Sequence, residues 1–325
     1  MLTRRSVVGS LLATSFVPDI SARAQDVYPS RPIRSICSFT PGSGADILVR
    51  FFSNKLQEVS GKTVIVENKI GAAGNLGTEF VARSKPDGYT IYICPAVNVL
   101  ASAKYFYKAL AFDPVEDFEH ITTLAKAPLL LVVEANTPFK TARDLADDLK
   151  KRGTAGGYAA ISNSSQVLCE MFKAQFGLET TEVRFRDFPS ALGEMRTGNV
   201  SYTYLDAAQA TGHVAAGRIR VLATSSSERI ASLPASYPTS IEAGIANTDI
   251  MFWWSVQVAK GTPKPILDQL EIWFNKVVEL EDTKKFLEQF GQAPFPGNPQ
   301  MLKTILAKEV MDWAGYTKLA KVEPQ

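Results

Sequence analysis

Apolar and polar positions along the chain fall into blocks that predict strands separated by helices. Ile33–Phe39 is a short apolar run closed by Thr40-Pro41-Gly42-Ser43-Gly44, the pattern of a buried strand feeding a turn. Beyond it Ile47, Leu48, Phe51, Phe52, Leu56 and Val59 form one stripe of a helix that Gly61 stops. Thr63–Val66 reads as a second strand. The Gly-rich loop Gly71-Ala72-Ala73-Gly74-Asn75 then opens a helix to about Ser84. Lys85-Pro86-Asp87-Gly88 has turn chemistry, and Tyr89–Cys94 is a third strand. Strands separated by helical segments predict parallel βαβ units.

The alternation resumes after Pro128. Leu129–Val133, Tyr158–Ile161, Glu182–Phe185, Ser201–Leu205 and Arg220–Ala223 read as strands, with helices between them, one over Ser165–Phe176. Thr141 with Asp144 resembles a capping box opening a helix to about Lys151. Phe252–Val258 is a further strand. Pro263 suits the first turn of a long helix, and Asn298-Pro299 caps another. Two α/β segments followed by a mostly helical tail predict two lobes: 25–127, then 128–252, with 253–325 returning to the first. Two chain crossings between lobes make a hinge, and a hinge frames a ligand cleft.

The N-terminus changes the picture. Arg4 and Arg5 supply a positive region, Val7–Val17 is mostly apolar and too short to span a bilayer, and Ala22-Arg23-Ala24 is a small-x-small cleavage site. Residues 1–24 therefore read as an export signal, with a mature start at Gln25. Arg4-Arg5 after Thr3 fits either an ordinary Sec signal or the twin-arginine route. Removing these residues takes away three arginines and one aspartate, so the formal charge goes from +2 to 0. That leaves no long-range field for nucleic acid or an anionic membrane. Cys37, Cys94 and Cys169 are too few and odd in number for a disulfide framework. Cys37 and Cys94 end predicted strands, where they could pair in an oxidising compartment or stand as small buried hydrophobes.

Candidate chemistry gathers at strand ends. Pro41–Asp46 puts free backbone N–H groups at a helix N-terminus, where the helix dipole also favours an anion; a plain βα turn would use the same residues. Gly42-Ser43-Gly44 also resembles the start of a dinucleotide fingerprint, with Glu67 ending the next strand, but position 47 is Ile and the third glycine is missing. Gly71–Asn75 and Cys94-Pro95-Ala96 lie at the same edge of a parallel sheet. In the second segment Ser162-Asn163-Ser164-Ser165 opens a helix, either as cap or as donor set. Arg186 follows a strand and could pair with a carboxylate or lie solvated. Only His120 and His213 exist, with no metal-binding spacing, no C-x-x-C and no nucleophile elbow. Asp46 has no partner in sequence as a general base, and its position suits helix stabilisation.

These segments taken together resemble a known family. Tyr28-Pro29-Ser30-Arg31-Pro32-Ile33-Arg34, Phe39-Thr40-Pro41-Gly42-Ser43-Gly44-Ala45-Asp46, Val66-Glu67-Asn68-Lys69, Gly71-Ala72-Ala73-Gly74-Asn75 and Lys85-Pro86-Asp87-Gly88-Tyr89-Thr90 follow one another in its order. Phe112–Phe118, Ala216–Ala223 and Gly261-Thr262-Pro263 continue the series. The chain resembles the Bug family, the extracytoplasmic solute receptors of tripartite tricarboxylate transporters. The resemblance implies a type II periplasmic-binding-protein fold, a Venus flytrap of two lobes closing on one ligand. It implies a carboxylate held in the first lobe by Phe39, Thr40, Pro41, Gly42, Ser43, Gly44 and Asp46, with Ala73, Gly74 and Asn75, and bridging waters. Pro95 and Ala96 join from the next strand end. The second lobe would contribute Ile161, Ser162, Asn163, Ser164, Ser165 and Gln166, then Phe185, Arg186 and Asp206.

Three departures bear on specificity. The family's Pro-Gly-Gly is Pro41-Gly42-Ser43 here, its Tyr-Lys-Gly is Phe185-Arg186-Asp187, and a common His is Gln166. Arg186 suits a second carboxylate, so the expected ligand is a dicarboxylate. The expectation is a periplasmic, monomeric receptor without cofactor or metal, acting with membrane components of a transporter. An exported enzyme acting on a small carboxylic acid would need a nucleophile–base pair. A sensor co-receptor would share the fold.

Overall fold

Strand β1 (Ile33–Cys37) and helix α1 (Gly44–Ser60) form where the first apolar run and stripe predict them, and Gly61 ends the helix in the left-handed conformation that glycine adopts without strain. The computed structural model describes residues 28–246 and 248–324. The export signal and the mature start at Gln25 lie outside them. There follow β2 (Val64–Asn68), α2 (Asn75–Ala82), β3 (Thr90–Pro95), a single π-helical turn over Val97–Ala101, and α3 (Ala103–Phe106). Next come β4 (Phe118–Glu134), α4 (Ala142–Arg152), β5 (Gly157–Ala160), α5 (Asn163–Phe176), β6 (Thr181–Arg184), α6 (Phe188–Thr197), β7 (Thr203–Asp206), α7 (Ala207–Ala215) and β8 (Ile219–Thr224). The chain ends with β9 (Met251–Ala259), α8 (Lys264–Glu279), α9 (Glu281–Gln289), β10 (Ala293–Pro294) and α10 (Pro299–Leu319). Thr141 and Asp144 close a full capping box on α4, and Asn298 caps α10. Pro263 sits just outside the first turn of α8, at its N-cap. Among the described residues no helix is long and apolar enough to cross a membrane.

Two sheets share one strand. In the first, β2, β1 and β3 run parallel, and β9, β4 and β10 extend the edge antiparallel. From Phe118 to Pro128, β4 pairs with β9; from Leu129 onward it pairs with β7 and β8 instead. The parallel pair β5–β6 joins β7 through a bridge at Tyr158 and Tyr202. The result is two lobes, with β4 passing outward between them and the segment entering β9 passing back. Sequence pattern shows only the half of β4 after Ala127. The half before it carries Thr122 and Thr123, both fully buried. Their hydroxyls donate to the Asn275 side chain and the Phe295 carbonyl, so polar residues occupy a core strand at no unpaired cost.

The cysteines settle one open alternative. All three are free and buried. The β1–β3 register pairs Ile36 with Tyr92, which brings Cys37 level with Ile93, so Cys94 points to the other sheet face. Cys37 packs with Leu48 and Phe52, whereas Cys94 packs with Tyr92 and Val97. Of the two readings left open by sequence, Cys37 and Cys94 are the separate buried thiols, and burial pushes the Cys37 thiol up to about 11.

Candidate functional site

The loop between β1 and α1 is held from beneath by a buried carboxylate. Asp46 accepts from the Gly42 N–H (2.8 Å), from Arg50 Nε (2.8 Å) and from Asn68 Nδ2 (2.7 Å). Asn68 Nδ2 also donates to the Phe39 carbonyl at 2.9 Å. Burial alone would raise the Asp46 carboxyl, but these donors hold it below the ordinary carboxylate value. With its three donors Asp46 shapes the loop. Ser43 caps α1, accepting from the Asp46 N–H at 3.3 Å, and the amides of Gly44 and Ala45 lie in the first turn, which has no intrahelical partners.

The second Gly-rich loop is a run of unusual backbone: Gly71 (φ 146°), Ala72 (φ 46°), Ala73 (φ 51°) and Gly74 (φ 104°) all have positive φ. Such strain persists only where the surroundings enforce it. A Cβ on Gly74 would lie 2.7 Å from Val99 Cγ1, so that position excludes any side chain. Below it a buried chain of hydroxyls, Ser38–Tyr92–Thr78, ends on the Gly74 carbonyl, with Thr78 Oγ1 2.8 Å from Tyr92 OH and 3.0 Å from that carbonyl.

A cavity of about 450 Å³ opens at the junction where β4 leaves one sheet for the other. Four helix N-termini meet at it, because the N-cap residues of α1, α5, α6 and α7 all line it: Ser43, Ser162, Asp187 and Asp206. Helix N-termini carry partial positive charge. At α6 and α7 the capping aspartates already answer it: Asp187 accepts from Ser190 N–H and Asp206 from Gln209 N–H. At α1 and α5 the caps are neutral serines, so those two ends keep their capacity for an anion. The cavity's basic side chain, Arg186, is exposed and forms no ion pair among the described residues. Burial raises the Asp206 carboxyl above its ordinary value, against the hydrogen bonds from Gln209. Apolar walls come from Phe39, Leu48, Phe188, Phe252 and Trp254. A second hollow of about 250 Å³ adjoins it, sharing Ile161 and Ser162 and lined also by Ala73, Asn163 and Phe185.

The sequence model of the tripartite tricarboxylate transporter family receptor matches residues 48–318. The chain belongs to this family. It is 27% identical over 316 residues to BugT of Bordetella pertussis, covering 96% of each chain. Among solved structures, the periplasmic binding protein BugD matches with a TM-score of 0.80 at 27% identity, over 92% of this chain and all of that one. Rpa4515 of R. palustris, solved with adipate, matches with a TM-score of 0.82 at 27% identity over the same shares. The two lobes sharing β4 are thus a periplasmic-binding-protein fold.

Within this receptor, the residues singled out in sequence divide into three groups. Phe39, Ser43, Gly44, Pro95, Ile161, Ser162, Ser164, Arg186 and Asp206 line the larger cavity. Ala73, Asn163 and Phe185 line the adjoining hollow. Thr40, Pro41, Gly42, Asp46, Gly74, Asn75, Ala96, Ser165 and Gln166 line neither. Thr40, Pro41 and Gly42 are exposed in the loop, while Gly74 and Ala96 are buried and Asn75 partly so, at the start of α2. Ser165 completes the capping box of α5. Gln166 spans Glu182 Oε2 (3.0 Å) and Arg184 Nη2 (3.0 Å), which uses both ends of its amide. Ser164 donates to Asn98 Oδ1 at 2.8 Å and Asn163 Nδ2 to Ser102 Oγ at 3.2 Å, so these two tie the lobes together.

Sequence reading missed Asn98, Tyr204, Gln209, Phe252, Trp254 and Gln292, which also line the larger cavity. Phe252 and Trp254 carried a signal, since they alternate on one face of a recognised strand. Gln292 carried none: it reaches the cavity because the turn at Gly291 packs against α7, where a Cβ on Gly291 would lie 2.9 Å from that of Ala207.

Proposed function

We propose that this receptor captures a small carboxylate, dicarboxylates favoured, between its lobes and delivers it to membrane components of a tripartite tricarboxylate-type transporter. The observation that carries this reading is the pair of serine-capped helix N-termini, α1 from one lobe and α5 from the other, facing one cavity beside Arg186, which has no ion pair among the described residues. One carboxylate fits the Gly44 and Ala45 amides, with Asp46 positioning the loop; the other fits Arg186 and Ser162. The adipate in the related R. palustris structure supports a ligand with two carboxylates. We assign 25–127 and 253–325 to the first lobe and 128–252 to the second. Residues 1–24 serve as the export signal, and the receptor works as a periplasmic monomer whose closure creates the docking surface. Thermal-shift screening against aliphatic and aromatic mono- and dicarboxylates tests this. Stabilisation by dicarboxylates is expected, and a flat response to every acid would sink the reading.

A further inference from the structure

The two sides of the lobe boundary are built differently. On one side the fully buried Val97 and Leu100 of the π-helical turn share a single apolar core with Leu131 and with Val167, Leu168 and Phe172 of α5. From the returning segment, α10 adds Leu302, Leu306 and Trp313 to that core, and it packs on the π-helical turn and on α5 at once. Two hydrogen bonds reinforce this seam, Ser164 to Asn98 and Asn163 to Ser102. The Ser102 hydroxyl donates to the Asn98 carbonyl at 3.1 Å, so towards Asn163 it can only accept, which fixes the nitrogen end of that amide against it. On the other side the cores stay apart. The cluster that holds α1 and α8 takes its buried members from the first lobe. The buried members of the cluster that holds α6 and α7 lie between Ala127 and Val221. There the lobes meet at the turn of Gly291, where a bare glycine faces Ala207 and Leu233.

Prying the seam open would break both hydrogen bonds and bring its apolar core into water. The cavity runs from the seam, at Asn98 and Ser164, to α6 and α7, at Phe188 and Ala208. We propose that the second lobe closes by rotating about the seam of α5, the π-helical turn and α10, which stays packed in both states, and that α6, with Arg186 just ahead of it, is the moving jaw. A rotation displaces each group in proportion to its distance from the axis. Ser162, at the seam end of α5, therefore stands in place before a ligand arrives, whereas Arg186 reaches the ligand only on closure. This inference rests on the receptor reading for the ligand that drives closure, and it adds the order in which the two lobes' groups take hold.

Distances between paired spin labels, measured by pulsed double electron resonance, test it. The native cysteines are buried, so labelling selects introduced ones. Met311→Cys with Ala174→Cys spans the seam from α10 to α5, and Asn54→Cys with Arg196→Cys spans the jaw from α1 to α6; all four positions are exposed. In the free protein the seam pair is expected to give one sharp distance and the jaw pair a broad distribution. Adipate is expected to shorten the jaw distance by several ångströms, to sharpen it, and to leave the seam distance in place. A seam distribution as broad as that of the jaw, or a seam distance that moves with the jaw, overturns the inference while leaving the receptor reading intact. So does a jaw pair already sharp in the free protein. Hydrogen exchange of the unmodified protein gives a reading free of labels: amides of α5 are expected to exchange more slowly than those of α6, and equal rates count against the seam as a fixed axis. Asymmetric widths in the free protein, with no response to adipate or to any acid of the wider screen, would keep the axis and overturn the receptor reading instead.

Discussion

The Ser225 hydroxyl accepts a hydrogen bond from the Leu129 N–H at 3.0 Å and donates one to the Ile250 carbonyl at 2.7 Å. Leu129 is where β4 changes sheets, and Ile250 immediately precedes β9, so one fully buried side chain clasps both crossings of the hinge. Ser225→Ala leaves a buried N–H and a buried C=O short of a partner. The expected loss is about 1–3 kcal/mol of unfolding free energy, read by denaturant titration. Small-angle scattering without ligand should also show a wider spread of lobe openings. Unchanged stability and scattering would show that Ser225 does not hold the hinge.

The cradle at α1 depends on a residue outside the cavity lining. Asp46→Ala removes the acceptor for Gly42 N–H, Arg50 and Asn68 at once. Carboxylate affinity is expected to fall roughly tenfold or more although no group touching the cavity is lost, by the sensitivity of binding to positioning. The sign of the pH effect follows from the lowered carboxyl. Stability from Asp46 is present above its ordinary value of 3.8 and is lost as the pH falls through the still lower folded value. Acid unfolding of the wild-type protein should therefore include a step that Asp46→Asn lacks. Identical acid profiles for the two would count against this role.

What the chain reveals by reading and what it conceals follow a physical divide. Ser43, Ser162, Thr141 with Asp144 and Asn298 are legible because a cap acts within four residues of itself. The partners of Gln166, Ser164 and Asn163 are not, because they are set by how α5 meets β6 and the π-helical turn, contacts between segments distant in sequence. Hence Gln166 reads as a ligand donor in sequence and is found bridging Glu182 and Arg184. Tyr204, Trp254 and Gln292 come to line one cavity only once β4 has bent between sheets, and no local pattern encodes that bend.

Glu309 on α10 gives an opposite pH dependence. Burial pushes its carboxyl up to about 7 from an ordinary 4.5. Folding then takes up a proton between pH 4.5 and about 7, so the contribution of Glu309 is most favourable below 4.5 and worsens as the pH climbs to 7. Glu309→Gln removes that penalty. The variant is expected to be more stable than wild type at about pH 8, by on the order of 1–3 kcal/mol, and equal to it near pH 4. Parallel melting curves for the two proteins across that range would refute it.

Arg186 should separate the two ends of the ligand. It lines the cavity from the second lobe, immediately before the α6 cap Asp187, and is free of ion pairs among the described residues. A guanidinium paired with a carboxylate contributes through charge-assisted hydrogen bonds that a neutral amide cannot replace. Arg186→Gln is therefore expected to weaken a dicarboxylate by roughly tenfold to a hundredfold, the range for hydrogen bonds to charged groups. A monocarboxylate gripped at the α1 N-terminus should weaken far less. The salt dependence of dicarboxylate binding should flatten in the variant, since one charge pair is gone. Titrations of adipate and hexanoate at two ionic strengths measure both effects. Equal losses for the two acids would place the second carboxylate elsewhere, with the Ser162 end of α5 as the remaining anion site on that lobe.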